Sequence, residues 1–406
     1  MAETLQRERT WEVNDAFVLP NIEGGVVADA ELHCESTESV AAYYDTADLD
    51  LVANGITLRR NDDGDRCQWR LAMPTGAPSI ELTSKSSGPP PAELTRLLMA
   101  MTSGKELGDV VSVRTARQVY RISRRDDEDS YAVLVDGRVF ASTADRLAVW
   151  REVEVGVGPG IGTIPERLAR RLEAAGARPA RRRSELEHVL PALRRTPAPP
   201  AQRAMAGYLN DQIDAVVSGD IGLRRGFDPI HDTRVAIRRI RSTLRVFAKL
   251  FKRTAAAGLE SELKWFAALL GEVRDCQVQR DRFAKALTGL PDELILGRVR
   301  SSMRNTLLGH ERPARRRVSD AMDSERYLAL MAALLRWRTA PPMSTAFGEH
   351  ELRKRCRKAH RKADRRLIAA VRSDDETALH SARKAAKRAR YAGELAGAVQ
   401  QKARRK

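Results

Sequence analysis

Apolar and polar positions follow two different rhythms along this chain of 406 residues. Before residue 190 the apolar residues come in short β-rich runs at 57–60, 68–73, 112–122, 131–140 and 148–157, with a looser alternation over 5–13. Turn clusters such as NDDGD at 61–65 and RRDDED at 124–129 separate the runs. This pattern predicts an antiparallel, meander-like sheet with helices over 91–101 and 165–175. From residue 202 the period becomes helical, predicting helices over 202–218, 229–252, 258–270, 272–287, 292–310, 312–320, 324–337, 346–372 and 375–396. Between the two regimes, PALRRTPAPP at 191–200 carries four prolines and no periodicity, which marks a semi-rigid linker. The expected fold is therefore α+β: a curled or barrel-like antiparallel sheet over 1–190, a linker at 191–201, an all-α region over 202–398 and a basic tail at 399–406.

Within the helical region one stretch occurs twice. HDTRVAIRRIR at 231–241 and HSARKAAKRAR at 380–390 align without a gap at an offset of 149 residues. His231, Arg234, Arg238, Arg239 and Arg241 recur as His380, Arg383, Lys387, Arg388 and Arg390. At about 100° per residue, His231, Arg234, Arg238, Arg241 and Arg245 share an arc of roughly 80°, and Ile237, Ile240, Leu244, Phe247 and Phe251 lie nearly opposite. In the second copy His380, Arg383, Lys387 and Arg390 form the polar rail, and the apolar side is small: Ala386, Ala389, Gly393 and Ala396. A solvated helix face interleaves carboxylates with cations at i, i+4, yet no acidic residue occurs from Arg234 to Arg253. Such a rail is stable when an anion neutralises it. Asp228–Pro229 reads as the cap of the first motif helix, and Ser373 with Glu376 as a capping box for the second.

Charge sharpens the division. Residues 1–200 hold 26 Lys and Arg against 31 Asp and Glu, a net of −5; residues 201–406 hold 45 against 23, a net of +22. Only the second half seeks a polyanion. The four cysteines, Cys34, Cys67, Cys276 and Cys356, are isolated, without zinc-ligand spacing, and suit a reducing cytoplasm. The start lacks an apolar secretory core, and no run approaches 18 apolar residues, so neither a signal peptide nor a membrane span is expected.

The first half resembles the CYTH, or triphosphate tunnel, family through YYDTADLDLVANGITLRR at 43–60, WREVEVGVG at 150–158 and AGARPARRRSELEHVL at 175–190. The resemblance implies an eight-stranded antiparallel tunnel, cations that hold a triphosphate, and acidic pairs that hold a divalent ion such as Mg or Mn. The family's E-x-E-x-K falls on Gln6, Glu8 and Thr10. Its L-R-x-R ends at Asn61, the lysine near WRLAMP falls on Ala72, and its S-K reads Ser184, Glu185. What the resemblance leaves of the tunnel is Arg59, Arg70 and Arg117, with Glu8, Glu152 and Glu154 as metal ligands only if the tunnel is functional. These losses converge on the interior, and imply a catalytically decayed scaffold.

The second half resembles the CHAD family, the conserved-histidine α-helical domain, through HDTRVAIRRIRSTLRVF at 231–247, LKWFAALLGEVRDCQV at 263–278 and ALHSARKAAKRARYAGEL at 378–395. The resemblance implies two related helical bundles facing each other across a basic groove that binds inorganic polyphosphate, with no cofactor required. Guanidinium forks suit a flexible chain of phosphates that has no bases to read. The expected ligands are His231, Arg234, Arg238, Arg239, Arg241, Arg245, Arg274, Arg353, Arg357, His380, Arg383, Lys384, Lys387, Arg388, Arg390 and Tyr391. Arg274 forms a third wall oriented by Asp275, and the basic run at 353–366 extends the surface, with His360 and His310 as plain surface residues. The sequence points to a cytoplasmic polyphosphate-binding protein associated with polyphosphate granules. Two alternatives stand beside it: a metal-dependent triphosphate or polyphosphate hydrolase fed by the basic half, and a nonspecific nucleic-acid binder. The aromatic share of 5% offers few stacking platforms for single strands, and sparse Trp and Phe disfavour a membrane-surface role.

Overall fold

The computed structural model describes residues 7–21, 30–62, 67–73, 80–124, 130–157, 166–180, 185–190 and 199–404, except 292, 294, 296, 345 and 374. The expected turns at 63–65 and 125–129, Gln6 and Ser184, and most of the proline-rich linker lie outside the described residues.

Nine strands form one antiparallel sheet: β1 (Arg7–Val13), β2 (Ala30–Asp45), β3 (Thr57–Asp62), β4 (Cys67–Met73), β5 (Ile80–Ser84), β6 (Gly108–Arg124), β7 (Ser130–Ser142), β8 (Leu147–Val157) and β9 (Arg178–Pro179). They are ordered β5-β4-β3-β2-β6-β7-β8-β1-β9. The sequence pattern missed β2, because its 16 residues mix Glu, Ser and Thr with few large apolar side chains. Both faces are covered. On one, Trp11, Leu134, Val153 and Val155 pack against Leu168 and Leu172 of α3 (Glu166–Ala174). On the other, Leu186 and Val189 of the short α4 (Leu186–Val189) pack on Tyr43, Val111, Val113 and Val139. The other two helices of this half are α1 (Asp50–Ala53) and α2 (Ala92–Thr102).

The C-terminal half is helical throughout: α5 (Pro200–Arg224), α6 (Ile230–Val246), α7 (Arg253–Thr288), α8 (Val299–Met322), α9 (Glu325–Thr339), α10 (Glu349–Val371) and α11 (Glu376–Arg404). Expected breaks at Gly271 and Glu311 are absent. α7 runs through Gly271 and α8 through Glu311 and Pro313, which merges four expected helices into two. α6 ends early, at a 3-10 turn over Ala248–Leu250, where Phe247, Leu250 and Phe251 bury. The first helix takes in residues 200 and 201, and the expected basic tail at 399–406 is helical as far as Arg404.

The two halves share a core. Leu58, Trp69 and Leu71 of the sheet and Leu94, Leu97, Leu98 and Met101 of α2 belong to one buried cluster with Leu209 of α5, Ile237 and Ile240 of α6, and Met331 and Leu335 of α9. A cluster that dense excludes free hinging about the linker. α2 is the wedge between them. No helix of the described residues is long and apolar enough to cross a membrane.

Candidate anion-binding groove and tunnel face

α6 buries Ile230, Ala236, Ile237, Ile240 and Leu244, which turns its arginines outward or along the seam with its neighbours. Its N-terminus follows Pro229 without a side-chain cap. Asp228, expected as that cap, instead accepts from Gln277 Nε2 at 2.7 Å and Arg315 Nη2 at 2.9 Å. At α11 the expected Ser373 box is replaced by Asp375, which accepts from the Thr377 amide at 2.8 Å, one residue before the helix begins.

Arg234 threads across α7. Its Nη1 donates to Ala267 O at 2.9 Å, and a Cβ placed on Gly271 would lie 2.6 Å from that nitrogen. The missing side chain at 271 is thus the slot the guanidinium uses. Burial pushes the Arg234 guanidinium below its ordinary pKa; Asp275 opposes that shift, and the charges of Arg238 and Arg274 add to it. Arg274 itself is held by Gln277, at 3.1 Å, so the orienting partner expected in Asp275 is the next side chain along the helix face.

α6 and α11 meet in opposite senses. Arg238 Nε donates to Tyr391 Oη at 3.0 Å, and Arg239 Nε lies 3.3 Å from Glu394 Oε2 and 5.5 Å from the Tyr391 ring. Arg390 sits 4.9 Å over the same ring and 3.7 Å from Glu394. Burial raises the Tyr391 phenol, but hydrogen bonds and charges from Arg238 and Arg390 outweigh it and hold the pKa below the ordinary value. Tyr391, expected at the groove edge, is a buried junction.

The 149-residue offset gives this packing a test of symmetry. It carries Arg239 onto Arg388 and Arg245 onto Glu394. The ion pair Arg239–Glu394 therefore has a counterpart, Arg388 beside Arg245, in which both groups are cations. Burial pushes the Arg388 guanidinium down, and Arg245, Arg366 and Arg241 push the same way, with Glu260 opposing. Glu260 accepts from Arg241 at 2.9 Å and from Arg245 at 2.7 Å. One carboxylate serves three arginines there. Each end thus sets a single carboxylate among several arginines, Glu394 beside Arg239 and Arg390 and Glu260 beside Arg241 and Arg245.

The Glu260 end is hollow. A cavity of about 440 Å³ is lined by Arg245, Lys249, Arg355, Lys358, Lys362 and Arg388, over a floor of Val246, Ala248, Ala359 and Ala385. Six cations and no carboxylate line it. Lys249, Arg355 and Lys362 were not singled out from the sequence, although Arg355, Lys358 and Lys362 stand at the i, i+3, i+7 spacing that marks one helix face. Arg353 and Arg357, expected with the rails, line a separate hollow of about 760 Å³ with Cys356, His360, Arg361 and Ala396. Two residues turn a helix by about 200°, so Arg353 and Arg355 face opposite flanks of α10. His231, His380, Arg383, Lys384 and Lys387 are exposed.

On the sheet, register assembles the tunnel residues. Arg117 pairs with Gly137, Gly137 with Glu152 and Glu152 with Glu12, while Tyr43 pairs with Arg59 and Arg59 with Arg70. Directly opposed residues share a face, so Arg59, Arg70, Arg117, Glu12, Glu152 and Glu154 look to the side that α4 covers. Glu12 is a carboxylate that the motif alignment passed over. Glu8 lies opposite Gly156.

The α4 segment fills this face. Glu185 accepts from Tyr43 Oη at 2.5 Å and lies 3.5 Å from Arg59 Nη1. His188 stacks on Trp150 at 3.9 Å and 10°. Arg70 is paired with Glu81 at 2.7 Å. Burial, followed by the nearby carboxylates of Glu154 and Glu185, raises Glu152 to about 7, against the Trp150 Nε1 bond at 2.9 Å and the charge of Arg117. Among the described residues no three His, Cys, Asp or Glu side chains are grouped to hold a metal ion. The carboxylates described on this face, Glu12, Glu152 and Glu154, are thus not gathered into a metal-holding group.

Comparison with known proteins places the chain. The CHAD domain family model matches residues 207–406. The proteins Rv2226 and MT2285 of two Mycobacterium tuberculosis strains are each 31% identical over 98% of this chain and 83% of their own length. Similar solved structures include PptA from Streptomyces chartreusis, 22% identical, covering 49% of this chain and 76% of its own, with a TM-score of 0.41. A putative adenylate cyclase from Bacillus halodurans is 16% identical, covering 46% of this chain and 98% of its own, with a TM-score of 0.31. The putative adenylyl cyclase HpAC1 from Hippeastrum, described by its dominant triphosphatase activity, is 16% identical, covering 44% and 92%, with a TM-score of 0.27.

Proposed function

Since the chain belongs to the CHAD family, we propose that it binds inorganic polyphosphate in the groove between α6, α10 and α11, and that its sheet half is a scaffold without catalytic activity. The observation that carries the first part is the hollow lined by Arg245, Lys249, Arg355, Lys358, Lys362 and Arg388. A phosphate chain supplies about one charge per unit and bends to follow such a wall, where a duplex is too thick to enter. Arg234, Arg238 and Arg274 continue the wall along α6 and α7, and granule association follows from holding a long polyanion.

Two features support an inactive tunnel. Glu185 stands beside Arg59 where a bound anion would otherwise balance it, and Arg70 pairs with Glu81. No metal-assisted step is assigned to this face.

The test is a pair of double variants of the full chain. Arg245→Glu with Arg388→Glu is expected to weaken long-chain polyphosphate binding by two orders of magnitude or about 3 kcal/mol, with unchanged circular dichroism. Arg353→Glu with Arg357→Glu, on the other flank of α10, is expected to cost less than about tenfold, through long-range charge alone. Equal losses from the two pairs would remove the groove assignment. Release of phosphate from tripolyphosphate by the wild-type chain with added Mg or Mn would restore the enzymatic reading.

A further inference from the structure

One carboxylate stands among the cations of the groove. Glu260, early in α7, accepts from Arg241 Nε and Nη2 at 3.0 and 2.9 Å and from Arg245 Nη2 at 2.7 Å, all on its Oε1. Burial raises this carboxyl, but the bonds and charges of Arg241 and Arg245 outweigh it and hold the pKa below the ordinary value. Glu260 is therefore ionised at neutral pH. Arg245 and Arg388 line the hollow with Lys358 and Lys362, and Arg366 follows Lys362 at i+4 on the same face of α10. Burial, then the charges of Arg245, Arg366 and Arg241, push the Arg388 guanidinium down, with Glu260 opposing. Guanidiniums from α6, α10 and α11 thus converge beside one carboxylate from α7.

Their charges do not balance. Among the described residues neither Arg366 nor Arg388 makes an ion pair, and Glu260 serves Arg241 and Arg245. Other acidic groups of α10 are engaged elsewhere or turned away. Glu351 pairs with Arg355 at 2.5 Å, about three turns back along the helix from Arg366. Asp364 lies about 200° round α10 from Lys362 and from Arg366. Arg241, Arg245, Arg366 and Arg388 against Glu260 leave a local surplus of +3.

Like charges gathered this closely repel, so the empty chain is stabilised by an anion among them. Glu260 supplies one charge and bonds through one oxygen. A phosphate unit carries at least two free oxygens, which guanidinium forks take in parallel bonds. The carboxylate also stands on the way out of the hollow, since Arg241 is the position on α6 between Arg245 and Arg238. We propose that Arg241, Arg245, Arg366 and Arg388 form a phosphate seat, which the Glu260 carboxylate fills when the groove is empty and vacates when a phosphate chain enters. Arg366 is thereby a ligand that neither the sequence repeat nor the lining of the hollow singles out. The seat lies within the groove proposed above and rests on that reading. A duplex, too thick for the hollow, does not displace Glu260.

The experiment is competitive binding and thermal melting of the full chain carrying Glu260→Gln, which keeps the shape of the side chain and removes its charge. The variant is expected to bind long-chain polyphosphate and tripolyphosphate roughly tenfold or more tighter than wild type, and duplex DNA within about threefold. Without ligand it is expected to melt a few degrees lower, because the cations then face one another unscreened. Glu262→Gln controls for net charge: its carboxylate pairs with Arg326 at 2.6 Å on another side of α7, and every ligand is expected to stay within about threefold. Adding Arg366→Gln to Glu260→Gln is expected to take back the gain. Polyphosphate bound no more tightly by Glu260→Gln overturns the proposal, as does an equal gain for the duplex. An equal gain from Glu262→Gln, or a gain that survives Arg366→Gln, overturns it too. A wild-type chain that holds no polyphosphate removes the groove reading and the seat with it, whereas wild-type binding without the gain removes the seat alone.

Discussion

Single residues set the electrostatics of both faces. Glu152 shows the linkage most directly. Its folded pKa of about 7 lies above the ordinary carboxylate value, so the fold prefers the protonated form and loses stability as pH rises from about 4.5 through 7. Glu152→Gln keeps an acceptor for Trp150 Nε1 and removes the titration. It is expected to leave thermal stability unchanged at pH 4.5 and to raise it at pH 8 by about 2 kcal/mol, since solvent access to the site trims the full shift. A variant less stable than wild type at pH 8 would contradict the burial of this carboxyl. Gly271 makes the second case. Gly271→Ala puts a methyl group where Arg234 Nη1 now lies, and the arginine end is flexible enough to move. The chain is expected to keep its melting temperature within a few degrees and to bind polyphosphate about three- to tenfold more weakly. Unchanged binding would show that Arg234 takes no part in the wall. The sequence placed Arg234 on the rail, but it held no sign that a glycine 37 positions later opens the space for it.

At the scale of elements, periodicity read long amphipathic segments well and punctuation badly. α2 and α3 start and end within a residue or two of their sequence pattern, and both motif helices are present. Gly271 and Glu311 fell between expected helices, yet α7 and α8 run through both, and packing overrides the local preference at Gly271. β2 escaped notice because one of its faces looks onto polar tunnel positions and lacks an apolar run. Within the groove, the repeat at 231–241 and 380–390 located the helices and their charge. What it left out was α10, whose Arg355, Lys358 and Lys362 have no counterpart in the repeat and become a wall only when the hairpin folds against α6. Ten of the 14 residues at 353–366 are charged on every side of the helix, so the sequence did not show which flank of cations meets α6. α2 carries the prediction at this scale. Leu98 is fully buried in the core shared by the two halves, so Leu98→Ala is expected to cost about 3 kcal/mol and to lower one cooperative transition. A calorimetric trace in which the variant unfolds in two separate steps, the helical one unshifted, would contradict a common core.

At the scale of the molecule, charge is divided between two halves that share one core cluster. A sheet half of net −5 is locked by α2 against a helical half of net +22. The hollow lined by six cations is a region of high potential, and association with a polyanion there should be steered and salt-dependent. Nonspecific nucleic acid shares that long-range attraction and lacks the fit to the hollow. The measurement that tests this most directly is competitive binding of long-chain polyphosphate against duplex DNA and tripolyphosphate across a salt series, with phosphate release followed in the same samples. Polyphosphate held at salt that strips the duplex, with no phosphate released, is the expected result. Loss of polyphosphate and duplex at the same salt would reduce the groove to a generic polycation and contradict the account.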